Sequence, residues 1–140
     1  MIESFRSAQM PFSREPVAVS SVRSFVMTTL QSWGVESRVD DVCLAASELA
    51  SNAVLHTSLA GIPLRVRLLL LGEIIRLEVH DRCSSLPQPA KALDDDESGR
   101  GISVVSILAD EWGVDLALDS SGKSVWTEFS VNIGLVVNSE

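Results

Sequence analysis

From Val17 onwards the apolar residues of this chain recur at helical spacing. Val22, Phe25, Val26, Thr29, Leu30 and Trp33 lie on one helical face, and Gly34 is placed to stop the helix. Ser37 is the expected N-cap of a second helix running to about Leu59. Its core stripe is Val42, Ala46, Leu49 and Ala53, with Ser47 and Ser51 on the far, wet face. Asp41, Ala45, Glu48, Asn52 and His56 form a flanking stripe at four-residue spacing, polar for three of its last four members. The period then changes to two. Leu64–Leu71 and Ile74–Asp81 read as a hairpin about Gly72-Glu73, and Asp81 has the parity of Ile75, Leu77 and Val79.

Cys83 to Ser98 has no periodicity and contains Pro87 and Pro89, a length that marks a lid, a binding loop or disorder. Gly99-Arg100-Gly101 then opens a short helix with Ile102, Val105, Leu108 and Ala109 apolar. Two further strands are expected at Trp112–Leu118 and about Lys123–Ile133, the last with Val125, Thr127, Phe129, Val131 and Ile133 on one face. The turn-rich first 16 residues leave room for an edge strand around Ala8–Ser13. Strands joined as neighbours, rather than alternating with helices, predict an α+β fold. This is a two-layer α/β sandwich with helices on one face of a mixed, mostly antiparallel sheet, and it argues against a doubly wound fold.

Composition narrows the function. A length of 140 residues predicts one domain, 1–140, and 46% hydrophobic with 21% charged residues exclude disorder for most of it. Eleven basic residues against 19 acidic ones give a net charge of -8, which speaks against DNA, RNA and anionic membranes. A single nucleotide is different, because backbone N–H groups, a helix N-terminus and a metal ion can hold its phosphates. Four of the acids cluster at Asp94–Glu97. Cys43 and Cys83 have no paired spacing and read as free thiols of a reducing cytosol. The first ten residues lack the apolar core of a signal peptide, and the longest apolar run, Leu68–Leu71, is far too short to span a bilayer. The expected location is cytoplasmic.

Three features are expected to converge on one pocket. Glu48 and Asn52 stand one helical turn apart beside the core stripe, a candidate base and a candidate oxygen ligand for Mg²⁺. A solvated helix face is the plainer reading of the same spacing. Asp81 ends a buried strand and needs a donor, for which a purine amino group and a backbone N–H are both candidates. Gly99-Arg100-Gly101 at a helix entrance suits phosphate binding, although a GxG alone also fits an ordinary turn. His80 alternates outward. His56 is either a member of the site or a locally satisfied helix-end residue. Walker, dinucleotide-binding and protein-kinase signatures are absent.

Glu48-Leu-Ala-Ser-Asn52-Ala-Val-Leu-His56-Thr57 resembles the N-box of the GHKL, or Bergerat-fold, ATPases. It is most similar to the branch of anti-sigma-factor serine kinases and regulatory ATP-binding proteins. Val79-His80-Asp81 resembles the G1 box and Gly99-Arg100-Gly101-Ile102 the G2 box, while Asp110–Val114 and Gly122–Trp126 resemble the closing strands of that branch. The resemblance covers nearly the whole chain. It implies a Bergerat-type sandwich that binds ATP and Mg²⁺ beneath a lid at about residues 83–98. It further implies Glu48 as catalytic base, Asn52 as Mg²⁺ ligand and Asp81 as acceptor for the adenine amino group. Gly99, Arg100, Gly101 and Ile102 would line the phosphates. A sigma factor and an anti-sigma-factor antagonist, phosphorylated on serine, are the implied partners, and branch members often form homodimers.

Two positions depart from the pattern. Arg82-Cys83-Ser84-Ser85 stands where G1 glycines usually follow, and Lys123 stands where a hydroxyl usually follows the glycine of the last box. Thr127, with inward parity, is the expected substitute for that hydroxyl. Glu48 thus favours a serine/threonine protein kinase that also sequesters a sigma factor, whereas the glycine-poor G1 box favours a non-catalytic ATP-binding module. A partner-binding domain without nucleotide is the third class. Asp94–Glu97 falls inside the lid, where four carboxylates would repel a triphosphate unless Mg²⁺ intervenes or the loop swings outward; a merely solvated acidic loop is the alternative.

Overall fold

The computed structural model describes residues 5–55, 63–81, 104–116 and 122–134. Five strands and two long helices follow in the order β1 (Phe5–Phe12), α1 (Val17–Ser32), α2 (Val39–Leu55), β2 (Leu64–Leu71), β3 (Ile74–Asp81), β4 (Glu111–Leu116) and β5 (Lys123–Ser130). Residues 104–108 add a helical turn. The sheet order is β1-β2-β3-β5-β4, and every described pairing is antiparallel. This is the two-layer α+β sandwich that the element order implies, with no parallel pair among the described strands.

Alternation builds the layers. Leu64, Val66, Leu68 and Leu70 of β2, Ile75, Leu77 and Val79 of β3, and Val125 and Phe129 of β5 share the inner face and are buried. Val22, Val26 and Leu30 of α1 and Val42, Ala46 and Leu49 of α2 cover them and complete one core. Burying each large aliphatic side chain contributes about 1.5–3 kcal/mol, so this shared face, rather than helix propensity, sets the architecture. Gly34 (φ 77) ends α1 and Gly72 (φ 65) turns the β2–β3 hairpin, both in the left-handed region where a side chain is strained.

Several local expectations are corrected. Ser47 is buried rather than wet, and its hydroxyl donates to the Cys43 carbonyl at 3.0 Å. Ala45 is fully buried as well. α2 packs against α1 as well as β3, so its buried arc is wider than one core stripe requires. Ser37 does not cap α2. Its hydroxyl accepts the Asn132 N–H at 2.7 Å. The residue before the helix is Arg38, in a left-handed conformation (φ 64), whose carbonyl accepts the Val42 N–H at 3.0 Å. The Arg38 guanidinium donates to Asp110 at 2.8 and 2.9 Å and to the Leu108 carbonyl at 2.7 Å, tying the start of α2 to the entrance of β4.

Strand ends also shift. β1 starts at Phe5 and pairs along its whole length with β2. It is an edge strand whose side chains are mostly exposed, so hydrophobic alternation carried little signal there. β5 leaves the sheet after Ser130, because residues 131–134 instead pair with the 34–37 turn. Glu36 N–H donates to the Asn132 carbonyl, and Val35 bridges Ile133. The expected end of the second helix at 56–59, the expected lid with Asp94–Glu97, and Gly99, Arg100, Gly101 and Ile102 lie outside the described residues.

Candidate functional site

Glu48 and Asn52 project from successive turns of α2, and both are half-buried. The Asn52 side-chain oxygen Oδ1 is buried and has no hydrogen-bond partner. An acceptor oxygen held inside the protein without a donor is costly, and a hard cation is one kind of ligand that satisfies it. Among the described residues no group of three or more histidines, cysteines or acids forms a metal site. A cation here would take Asn52 as one ligand, with water or the bound ligand's own oxygens among the others. Asn52 fits Mg²⁺ in that limited sense.

Asp81 sits where strand parity puts it, at the end of β3 on the inner, buried face. Among the described residues its partners are two cations. Arg14, from the turn between β1 and α1, donates Nη2 to Asp81 Oδ1. Lys123 Nζ lies 3.6 Å from Oδ2. Side-chain exposures of 1% for Arg14, 4% for Asp81 and 10% for Lys123 make this a buried charge cluster. The other arm of Arg14, Nη1, donates to the Ala53 carbonyl at 3.1 Å. One guanidinium thus joins α2, one residue beyond Asn52, to the end of β3.

Sequence reasoning missed both cations as site residues. Lys123 had a usable signal, since it shares the inward parity of Val125, Thr127 and Phe129 and an inward charge needs a partner. Arg14 had none, because nothing in its spacing indicates a partner 67 residues away. Thr127 is fully buried and its hydroxyl oxygen has no hydrogen-bond partner. It is paired with Leu77, however, whereas Lys123 is the cross-strand partner of Asp81. Four residues of strand separate the two, about 13 Å at ~3.3 Å per residue.

The arrangement places an unpaired amide oxygen and a carboxylate on α2, and a caged carboxylate on β3. The α2 pair suits a ligand with a cation-bound anionic end, and Asp81 would accept from a planar donor edge only in exchange for one of its cations. Comparison with known proteins bears on which ligand class is meant. A solved structure of the RsbU and RsbW domains of Rv1364c from Mycobacterium tuberculosis superimposes with a TM-score of 0.69 at 20% sequence identity, which establishes likeness of fold. The match covers 90% of this chain and 32% of that one, so this chain spans about a third of its neighbour's length. No curated protein matches the sequence. The family model of the histidine kinase-like ATPase domain matches residues 12–129, from the last residue of β1 to the penultimate residue of β5. The chain belongs to the histidine kinase-like ATPase domain family.

Proposed function

We propose that this chain is an ATP-binding regulatory domain that acts as an anti-sigma factor and phosphorylates a serine of the antagonist of that factor. Family membership supports ATP as the ligand. The observation that carries the rest is the pairing of Glu48 with Asn52, one turn apart, with the Asn52 oxygen buried and unpaired. In the proposal Asn52 holds Mg²⁺, Asp81 accepts from the adenine amino group, and Gly99, Arg100, Gly101 and Ile102 line the phosphates. Bound ATP would supply the γ-phosphoryl group. Glu48 would take the proton of the attacking serine hydroxyl as its oxygen bonds to phosphorus and ADP departs, and Arg100 would offset the developing charge. The sheet register supports Lys123, rather than Thr127, as the residue beside the base.

A second reading has its own support. Arg82-Cys83-Ser84-Ser85 and Lys123 replace residues usual in catalytic relatives, which favours an ATP-binding module that holds partners without phosphorylating them. Labelled ATP, Mg²⁺ and candidate antagonist proteins separate the two. Transfer by the wild type that falls by about 10²-fold or more in Glu48→Ala supports the kinase. ATP binding with no transfer to any antagonist supports the module. Asn52→Ala is expected to weaken nucleotide binding in Mg²⁺ but much less in EDTA.

A further inference from the structure

We infer that Arg14 is a built-in competitor of the nucleotide base for Asp81. The inference rests on the reading of Asp81 as the base acceptor and adds an intramolecular occupant to that place. The Asp81 carboxylate has two oxygens. Oδ1 already accepts from Arg14, and Oδ2 faces Lys123 at 3.6 Å. The guanidinium is 1% exposed, so a base cannot be added beside it; one donor must replace the other. The likeness is chemical. A guanidinium N–H and an exocyclic amino N–H are both planar donors, and both satisfy a carboxylate oxygen end-on.

The second contact of Arg14 makes the competition steric as well. Because Nη1 donates to the Ala53 carbonyl, the side chain spans from α2 to β3, the two elements between which the base would enter. Withdrawal of Arg14 is energetically accessible. Much of the attraction in a buried ion pair is offset by the desolvation of its ions, Arg14 regains its hydration on leaving, and Lys123 stays behind to neutralise Asp81. The closed contact therefore reduces apparent affinity by the fraction of molecules in which it is open.

The direction of the effect separates this role from ordinary electrostatics. Removing a cation near a polyanionic ligand weakens binding, whereas removing a competitor strengthens it. Calorimetry on the full chain with ATP and Mg²⁺ would compare wild type, Arg14→Gln and Arg14→Lys. Arg14→Gln is expected to bind about tenfold tighter, corresponding to a contact closed in about nine molecules of ten. Arg14→Lys is expected to stay near wild type. The gain should persist with adenosine, which has no phosphate. ATP binding to a folded Arg14→Gln protein that is unchanged or weaker overturns the competitor and leaves the ATP reading intact. No binding at millimolar ATP by any of the three proteins overturns the ATP reading, and the competitor with it. Should Arg14→Gln fail to fold, the wild type decides the matter. The Arg14 side-chain ¹⁵N resonance should move towards a solvent-exchanging position as ATP is added, and a resonance that stays unmoved at saturation overturns the inference.

Discussion

Strand β3 carries two charged clusters, one on each face, and they behave differently. On the outer face Glu78 is the centre of a network. Arg76 Nε donates to it at 2.7 Å, His80 Nε2 lies 2.8 Å from its other oxygen, and Arg67 is 3.5 Å away. Arg76 also donates to Glu128 at 3.0 Å and lies 4.5 Å from the ring centroid of Trp126, which itself covers Gly113. On the inner face Asp81 has Arg14 and Lys123, shut between the sheet and α2. The outer cluster draws its members from β2, β3, β5 and, through Asp115 at 3.7 Å from Arg76, β4, all neighbours within one sheet. The inner one reaches across layers to a turn far away in sequence. A network confined to one sheet braces that sheet, whatever the helices do. A contact that bridges the two layers depends instead on how the helix layer packs on the sheet.

Burial pushes the Glu78 carboxyl up, yet hydrogen bonds from Arg76 and His80 outweigh it and hold it below the usual value. Burial also works against the charge of Arg76, and its bonds to Glu78 and Glu128 outweigh that, so its guanidinium holds its proton more firmly than usual. At the edge of the domain, the Ser130 N–H and then Arg38 hold the Asp110 carboxyl low.

The largest effect expected is at Asp81. Asp81→Ala takes away the carboxylate shared by Arg14 and the buried Lys123 and should cost about 3–5 kcal/mol in urea unfolding at pH 7. A loss below 1 kcal/mol would mean that the inner cluster is as forgiving as an open surface. Glu78→Gln comes next, at about 1.5–3 kcal/mol at pH 7, because it weakens charge-assisted bonds but keeps the side-chain shape. Its pH dependence has a definite sign. A carboxyl lowered in the folded state contributes stability that is fully present above its unfolded value, about 4.3, and is lost as pH falls through the folded value. The gap between wild type and Glu78→Gln should therefore close on acidification. A gap that widens there would contradict the network. Asp110→Asn should be the smallest, below about 1 kcal/mol, because its side chain is 44% exposed and its pairing with Arg38 is screened. Its difference from wild type should also vanish as pH falls below the ordinary carboxylate range.

Much of this was legible without coordinates. The β2–β3 hairpin was read to the residue because Leu64–Leu71 and Ile74–Asp81 alternate strongly around Gly72. α1 was read for the same reason, from a full apolar stripe closed by Gly34. Ser37 was misread because a capping serine and a serine that accepts a distant backbone N–H look alike in sequence. Ser47 was misread because an amphipathic pattern shows one partner for a helix, and α2 has two. β1, an edge strand with one buried residue, had no core face to announce it.

The sequence alone determined the inward face of Asp81 and the one-turn spacing of Glu48 and Asn52. Period fixes orientation along a strand or helix, so both follow from spacing. Tertiary structure decided what those groups meet. Arg14 reaches Asp81 only because β1 and β3 flank β2 and α2 packs over the same face, bringing a guanidinium and a carboxylate 67 residues apart into one buried pair. Local pattern encodes direction, whereas a long-range contact is set by the packing of whole elements, which residue spacing along the chain does not record.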